Sequence, residues 1–151
     1  MKIDEIKLSS FKFVKVNKEN QNHISILYEI LKKRKFNISN IEIPSYEQHV
    51  NFVKSNRYRK WVIIFKNDKS YGTYYLRRDN YIGINLLTSI EYDYFLIIKY
   101  ILSLEKPLKE IKSIRNKFFL INTNPNNKPL LRAIKRFNFL HVENSYLCKK
   151  N

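Results

Sequence analysis

Apolar and polar residues alternate along Phe11-Lys12-Phe13-Val14-Lys15-Val16, the period-two pattern of a strand with one buried face. From His23 to Lys35 the period changes. Ile24, Leu27, Tyr28 and Leu31 recur at i, i+3, i+4 and i+7, which predicts an amphipathic helix. A polar stretch leads through Pro44 to Ser45, a good N-cap, and Gln48 completes the capping-box spacing for a helix to about Asn56. Lys60 to Lys66 is a strongly β-forming run, and Asn67-Asp68-Lys69 predicts a turn into a second strand, Ser70 to Arg77. Arg78-Asp79-Asn80 turns the chain again into Tyr81 to Leu87. A longer helical pattern follows, with Ile90, Tyr94, Ile97, Ile98, Ile101 and Leu102 on one face. Phe118 to Asn122 reads as a short strand, Lys128 to Phe137 as a basic helix led in by Pro125-Asn126-Asn127, and Phe139 to Cys148 as a closing strand. The order β-α-α-β-β-β-α-β-α-β implies an α+β fold, a mixed sheet with helices on both faces.

At 151 residues the chain has the size of a single domain, residues 1–151, with enough length for one substantial core. Its 44% apolar content places it among folded globular proteins. No apolar run approaches a membrane span, and Met1-Lys2-Ile3-Asp4-Glu5 lacks the layout of a signal peptide. The one cysteine, Cys148, has no internal partner for a disulfide, so a cytoplasmic protein is expected. The net charge of +16 suits an anionic partner. A genome rich in A and T would also raise Lys, and it would raise the equally abundant Asn, Ile, Tyr and Phe. Charge alone therefore does not choose a function.

Several segments carry a family resemblance. They are Leu-Tyr-x-Ile-Leu-x-x-Arg (Leu27 to Arg34), Asn-Ile-Ser (Asn37 to Ser39) and Pro-Ser-x-Glu-x-His-x-x-Phe-Val (Pro44 to Val53). Tyr-Arg-x-Trp (Tyr58 to Trp61), Tyr75-Leu76, Ile-Gly-Ile (Ile82 to Ile84) and Ile-Asn-x-Asn-Pro-x-Asn-x-Pro (Ile121 to Pro129) continue the series to Phe139. Together with the element order, they resemble the GNAT N-acetyltransferase superfamily, in particular a bacterial subgroup. The resemblance implies a mostly antiparallel sheet in which the strand carrying Gly83 splays from its neighbour. It implies that the pantetheine arm of acetyl-CoA lies in that gap against backbone groups of Asn85, Leu86 and Leu87. It also implies that Asn127 opens the second coenzyme-binding helix.

The chain departs from this pattern where the coenzyme's phosphates are expected. That loop requires successive backbone N–H groups at a helix N-terminus to approach a pyrophosphate closely, which favours glycine. The chain has only Gly72 and Gly83, and residues 88–96 contain neither. The basic and glycine positions of the loop fall instead on Glu91, Tyr92, Asp93, Tyr94 and Leu96. A carboxylate about 4 Å from a phosphate costs on the order of 1 kcal/mol in water and about 4 kcal/mol at a protein-surface dielectric. Thr88-Ser89-Ile90-Glu91 fits a capping box, so a helix starting at Thr88 would fill its anion site from within. Ile134 stands where many family members carry a tyrosine that protonates the departing thiolate. Asn138 replaces a glycine and tolerates the same left-handed backbone.

Among candidate functional residues, His49 could bind or deprotonate an acceptor amine, against a structural role fixing its helix. Arg57, Tyr58, Arg59 and Lys60 form a basic-aromatic cluster suited to an anionic acceptor, against a solvated turn. Glu91 and Asp93 are candidate general bases, against helix capping. Tyr74, Tyr75 and Tyr146 read as sheet packing. The scattered histidines and lone cysteine show no metal-ligand spacing.

The leading reading is an acetyl-CoA-dependent N-acyltransferase acting on a small amine such as an amino sugar or sugar nucleotide. The alternative is a non-catalytic protein of the same fold that binds an anionic partner. Nucleic acid is the least favoured partner, and a homodimer is one option for assembly.

Overall fold

The computed structural model describes residues 8–37, 42–146 and 148. Met1–Glu5, Ile38 and Ser39 of the Asn-Ile-Ser segment, and Leu147 lie outside the described residues. Five strands pair in sequential order: β1 (Phe11–Lys15), β2 (Lys60–Lys66), β3 (Lys69–Leu76), β4 (Tyr81–Leu86) and β5 (Leu120–Ile121). The first three pairings are antiparallel and β4–β5 is parallel. Among the described residues four helices accompany them: α1 (Gln21–Lys33), α2 (Tyr46–Ser55), α3 (Glu91–Leu104) and α4 (Lys128–Lys135). This is the mixed α+β architecture expected from the pattern.

Alternation along β2 divides the core in two. Val62 and Ile64 join the cluster built with Ile97, Ile98 and Ile101 of α3 and Leu130 and Ala133 of α4. Ile63 faces the other way and packs with Ile24, Leu27 and Ile30 of α1 and Val53 of α2. Helices therefore cover both faces of the sheet.

Local chemistry sets most boundaries. Ser45 accepts from Gln48 N while the Gln48 side chain takes the Ser45 N–H, completing the expected capping box of α2. Asn20 caps α1 by accepting from the N–H groups of Asn22 and His23, starting it two residues before the periodicity did. Asn67 and Asp68 both have positive φ (50° and 60°), the twist a tight hairpin between right-twisted strands requires. Asn138 has φ 57°, the left-handed backbone its replacement of glycine allows.

Three expectations are corrected. Residues 139–146 and 148, predicted as a closing strand, form no strand: Leu140 is 83% and Val142 71% exposed. With β5 only two residues long, no ladder is at hand to hold another strand. Tyr146, read as sheet packing, is exposed. The Thr88 capping box is absent as well. The N-cap of α3 is Ile90, which has no side-chain cap bond, and Thr88 Oγ1 accepts only the Ile90 N–H, at 3.1 Å, ahead of the helix. A missing cap costs about 1 kcal/mol. Burial of Ile97, Ile98 and Ile101 contributes about 1.5–3 kcal/mol apiece, so tertiary packing sets where α3 lies.

Candidate functional site

The candidate site grows from the end of β4. Its pairing with β5 covers only Tyr81–Leu120 and Ile82–Ile121, after which the two strands part. Leu87 N–H donates to Tyr71 O at 2.8 Å, so the antiparallel alternation turns the backbone of Asn85 and Leu87 toward β3. Of the three residues expected to supply backbone groups, Leu86 is the one turned toward the gap.

Both acids at the start of α3 turn away from it. Asp93 is buried, 2.8 Å from Lys66 Nζ, and also accepts from the Tyr71 hydroxyl. A register shift between Ile64 and Phe65 makes this contact. It leaves Tyr71 without a partner on β2, and the ring joins the core on the α3 side. Burial, followed by the Asp93 contact, raises the Tyr71 hydroxyl above its ordinary value, so it stays a donor. Glu91 pairs with Arg132 of α4 at 2.8 Å.

Tyr94 reaches into the gap itself. Its ring is buried, and its hydroxyl is hydrogen-bonded to the Leu86 backbone. The same hydroxyl lies 3.5 Å from both Thr88 O and Asn127 Nδ2. Burial raises the Tyr94 hydroxyl above its ordinary value. Asn127 caps α4, accepting from Leu130 N at 3.2 Å. Lys35 Nζ, 3.2 Å from Ser89 Oγ, completes the rim of the gap.

On the α1–α2 side of the sheet the basic-aromatic cluster divides. Tyr58 stacks on Tyr75 (centroids 4.2 Å, 7°) and meets Trp61 edge-on at 5.1 Å. Tyr75 in turn lies over Gly83, where a Cβ would fall on its ring. Burial raises the Tyr58 hydroxyl, with Arg77 and Arg34 opposing the rise. Arg34 comes in from the end of α1, and its Nε is buried without a partner among the described residues. Arg57 is exposed at the mouth of a cleft that Tyr58 also lines. Arg59 points elsewhere: it donates to Lys106 O at 3.1 Å, lies 3.6 Å from Glu105 and covers the Phe119 ring. Lys60 is paired to the same Glu105.

His49 lies in the α1–α2 interface. It is 4% exposed, and its Nε2–H donates to Ile24 O at 3.1 Å, with the Tyr28 ring 5.1 Å away. Burial lowers its pKa below the ordinary histidine value, against the smaller raising effect of that bond. It pins α2 to α1, and Glu91 is held by Arg132; neither candidate base faces the gap. Among the described residues no three His, Cys, Asp or Glu side chains gather as a metal site.

No family model and no curated protein matches the sequence. Among solved structures, an integron cassette protein from the mobile metagenome of V. cholerae aligns over 94% of both chains at 12% identity, with a TM-score of 0.58. The two share a fold. A structure described as a possible acetyltransferase from Clostridium difficile aligns at 12% identity over 93% of this chain and 97% of that one, with a TM-score of 0.49.

Sequence reasoning missed Lys66, Tyr94 and Arg34 as site residues. Tyr94 sits on the apolar stripe of α3 and reads as core. Lys66 and Asp93 meet across 27 residues of sequence, with no local pattern to announce them.

Proposed function

We propose that the protein is an acetyl-CoA-dependent N-acyltransferase acting on a small amine, such as an amino sugar or sugar nucleotide. One observation carries the reading. The acids that would repel a coenzyme phosphate are neutralised within the fold, Asp93 by Lys66 and Glu91 by Arg132. The first turn of α3 carries no side-chain cap, and it starts where β4 has parted from β5. An uncapped helix start with a cation on its rim is a place for an anion. Lys35 supplies that cation, while Arg132 offsets Glu91.

The chemistry is direct attack of a neutral amine on the thioester carbonyl, with the thiolate as leaving group. Ile134 offers no proton to that thiolate, and His49 and Glu91 are engaged elsewhere. The amine then reaches the site already neutral, and its proton passes to solvent. On this reading the rate rises with pH along the acceptor's own titration.

Calorimetric titration of acetyl-CoA and free CoA at moderate salt tests the proposal. Micromolar binding, with thiol release on adding amino sugars, is the expected result. Absence of binding at millimolar ligand would overturn it. Tyr94 favours a second reading, that of a non-catalytic scaffold. Its hydroxyl bridges the Leu86 backbone and the Asn127 cap across the space the pantetheine arm would use. Under that reading Tyr94→Phe leaves coenzyme binding absent, whereas a mere plug yields to the substitution and binding appears.

A further inference from the structure

Four arginines converge on a cleft at the opposite end of β4 from Tyr94. Arg57 precedes β2, Arg77 and Arg78 form the β3–β4 turn, and Arg115 comes from the α3–β5 connection; the cavity is about 450 Å³. Among the described residues the single carboxylate on its wall is Asp79, which Arg77 already holds at 2.6 Å. Four guanidinium charges against one carboxylate leave a surplus of +3. The side chains of Arg57 and Arg78 have no ion-pair partner among the described residues. An adjoining cavity of about 350 Å³ shares Asp79, Ile114 and Arg115 and adds Glu110, so the surplus belongs to the first cavity.

Two of the arginines, Arg77 and Arg115, are also held in position, which a solvated basic face does not require. Asn80 is fully buried and has φ 68°. Its side chain donates to Leu108 O and Asn116 O and accepts from Leu108 N, all between 2.7 and 2.8 Å. That fastens the α3–β5 connection to the β3–β4 turn. Within the connection, Ile111 and Arg115 form an isolated bridge around Ser113, whose φ is 63°. A non-glycine residue in that region is held there by its surroundings. Arg115 then donates from Nε to Lys109 O at 2.7 Å and from one terminal nitrogen to Arg78 O at 3.0 Å. Its other terminal nitrogen keeps two donors for a ligand. Arg77 is held from both sides, by Asp79 and by the Tyr81 ring at 5.1 Å.

We infer that this cleft binds a small ligand through a phosphate or diphosphate group. Planar guanidiniums match the spacing of phosphate oxygens and remain charged at every working pH. A concave cleft of this volume suits a small molecule better than a nucleic-acid backbone, which needs an extended basic surface. As the anionic end of the acceptor, this ligand rests on the acyltransferase reading. As a binding site, the cleft stands without it.

The test is titration of sodium pyrophosphate into the intact protein at moderate salt, into Arg57→Ala/Arg78→Ala, and into Lys12→Ala/Lys69→Ala as a control. All four positions are exposed, and the two lysines lie at the far end of the sheet. The inference expects sub-millimolar binding that weakens on the order of tenfold or more in the arginine variant and less than about twofold in the control. No binding at millimolar pyrophosphate, or equal weakening in both variants, overturns it. A short single-stranded oligonucleotide that binds more tightly than pyrophosphate and loses that advantage in the arginine variant also overturns it, in favour of nucleic acid. Acetyl-CoA titrated with pyrophosphate already saturating reads the gap at α3 separately, so either site can fail without the other.

Discussion

Where β4 ends, each acid of the following helix has a cation of its own: Lys66 for Asp93 and Arg132 for Glu91. Where β4 begins, Arg57, Arg77, Arg78 and Arg115 face one cleft in which Asp79 is the only carboxylate among the described residues. Both ends are anchored by a buried polar side chain, Tyr94 in one case and Asn80 in the other. The difference lies in what the anchors hold. Paired charge in a half-dry setting supports the fold, and the field offered to a ligand there comes from the uncapped start of α3 and from Lys35. Charge of one sign, gathered in excess of its counter-ion, repels itself, and a bound anion relieves that repulsion.

The comparison breaks most severely at Asn80. Asn80→Ala removes three side-chain hydrogen bonds from a buried site and leaves the partner backbone groups at Leu108 and Asn116 unsatisfied. The expected cost is about 3–4 kcal/mol in urea denaturation, with loss of pyrophosphate binding as the connection detaches. At the other end, Lys66→Ala strands the Asp93 carboxylate. Its expected cost is about 2–3 kcal/mol, below that of a fully buried pair because Tyr71 still donates and Lys66 is partly solvated. Adding Asp93→Leu to Lys66→Met should recover most of that loss, since an apolar pair of similar volume needs no desolvation.

A smaller change sharpens the comparison. Ile90→Asp supplies the cap that α3 lacks and should stabilise the protein by about 0.5–1 kcal/mol. If acetyl-CoA binds at that helix start, the same substitution abolishes its binding while leaving pyrophosphate binding at the arginine cleft intact. Acid titration reads the helix pair outside both ends. The folded-state pKa of His49 lies below the unfolded value of 6.5, so the unfolded chain binds more protons in the interval between them. The contribution of His49 is therefore complete above pH 6.5 and is lost as pH falls through that interval; His49→Gln should flatten this slope. Smallest of all, Arg57→Ala/Arg78→Ala should change stability by less than about 0.5 kcal/mol, because neither side chain holds a partner. A larger loss would mean that the arginines support the fold after all.

The sites divide along the same line as the predictions. Ser45 and Gln48 announce the start of α2, and the Asn67-Asp68 turn announces the first hairpin, because capping and positive φ are decided within four residues. The Thr88–Glu91 pattern has the same local grammar, yet Glu91 goes to Arg132 and the helix starts at Glu91, with Ile90 as N-cap. A competing partner 41 residues away outweighed a cap worth about 1 kcal/mol. His49 was legible as a special residue but not as a pin between helices, since its partner is a backbone carbonyl of α1. The closing strand failed for a related reason: alternation at Leu140 and Val142 predicts a strand only if a neighbour stands ready to pair, and the two-residue β5 does not supply one.

What the amino-acid order determined alone is the run of elements from β1 to α4, the cap of α2 and the turns between strands. Each depends on periodicity or on hydrogen bonds spanning a few residues. The tertiary structure alone decided which charges meet. The Lys66–Asp93 pair, the reach of Tyr94 to Asn127 and the gathering of four arginines around one cleft all join residues distant in sequence. Coulomb attraction and desolvation depend on distance in space, and the chain acquires those distances only when its two hydrophobic layers close on the sheet.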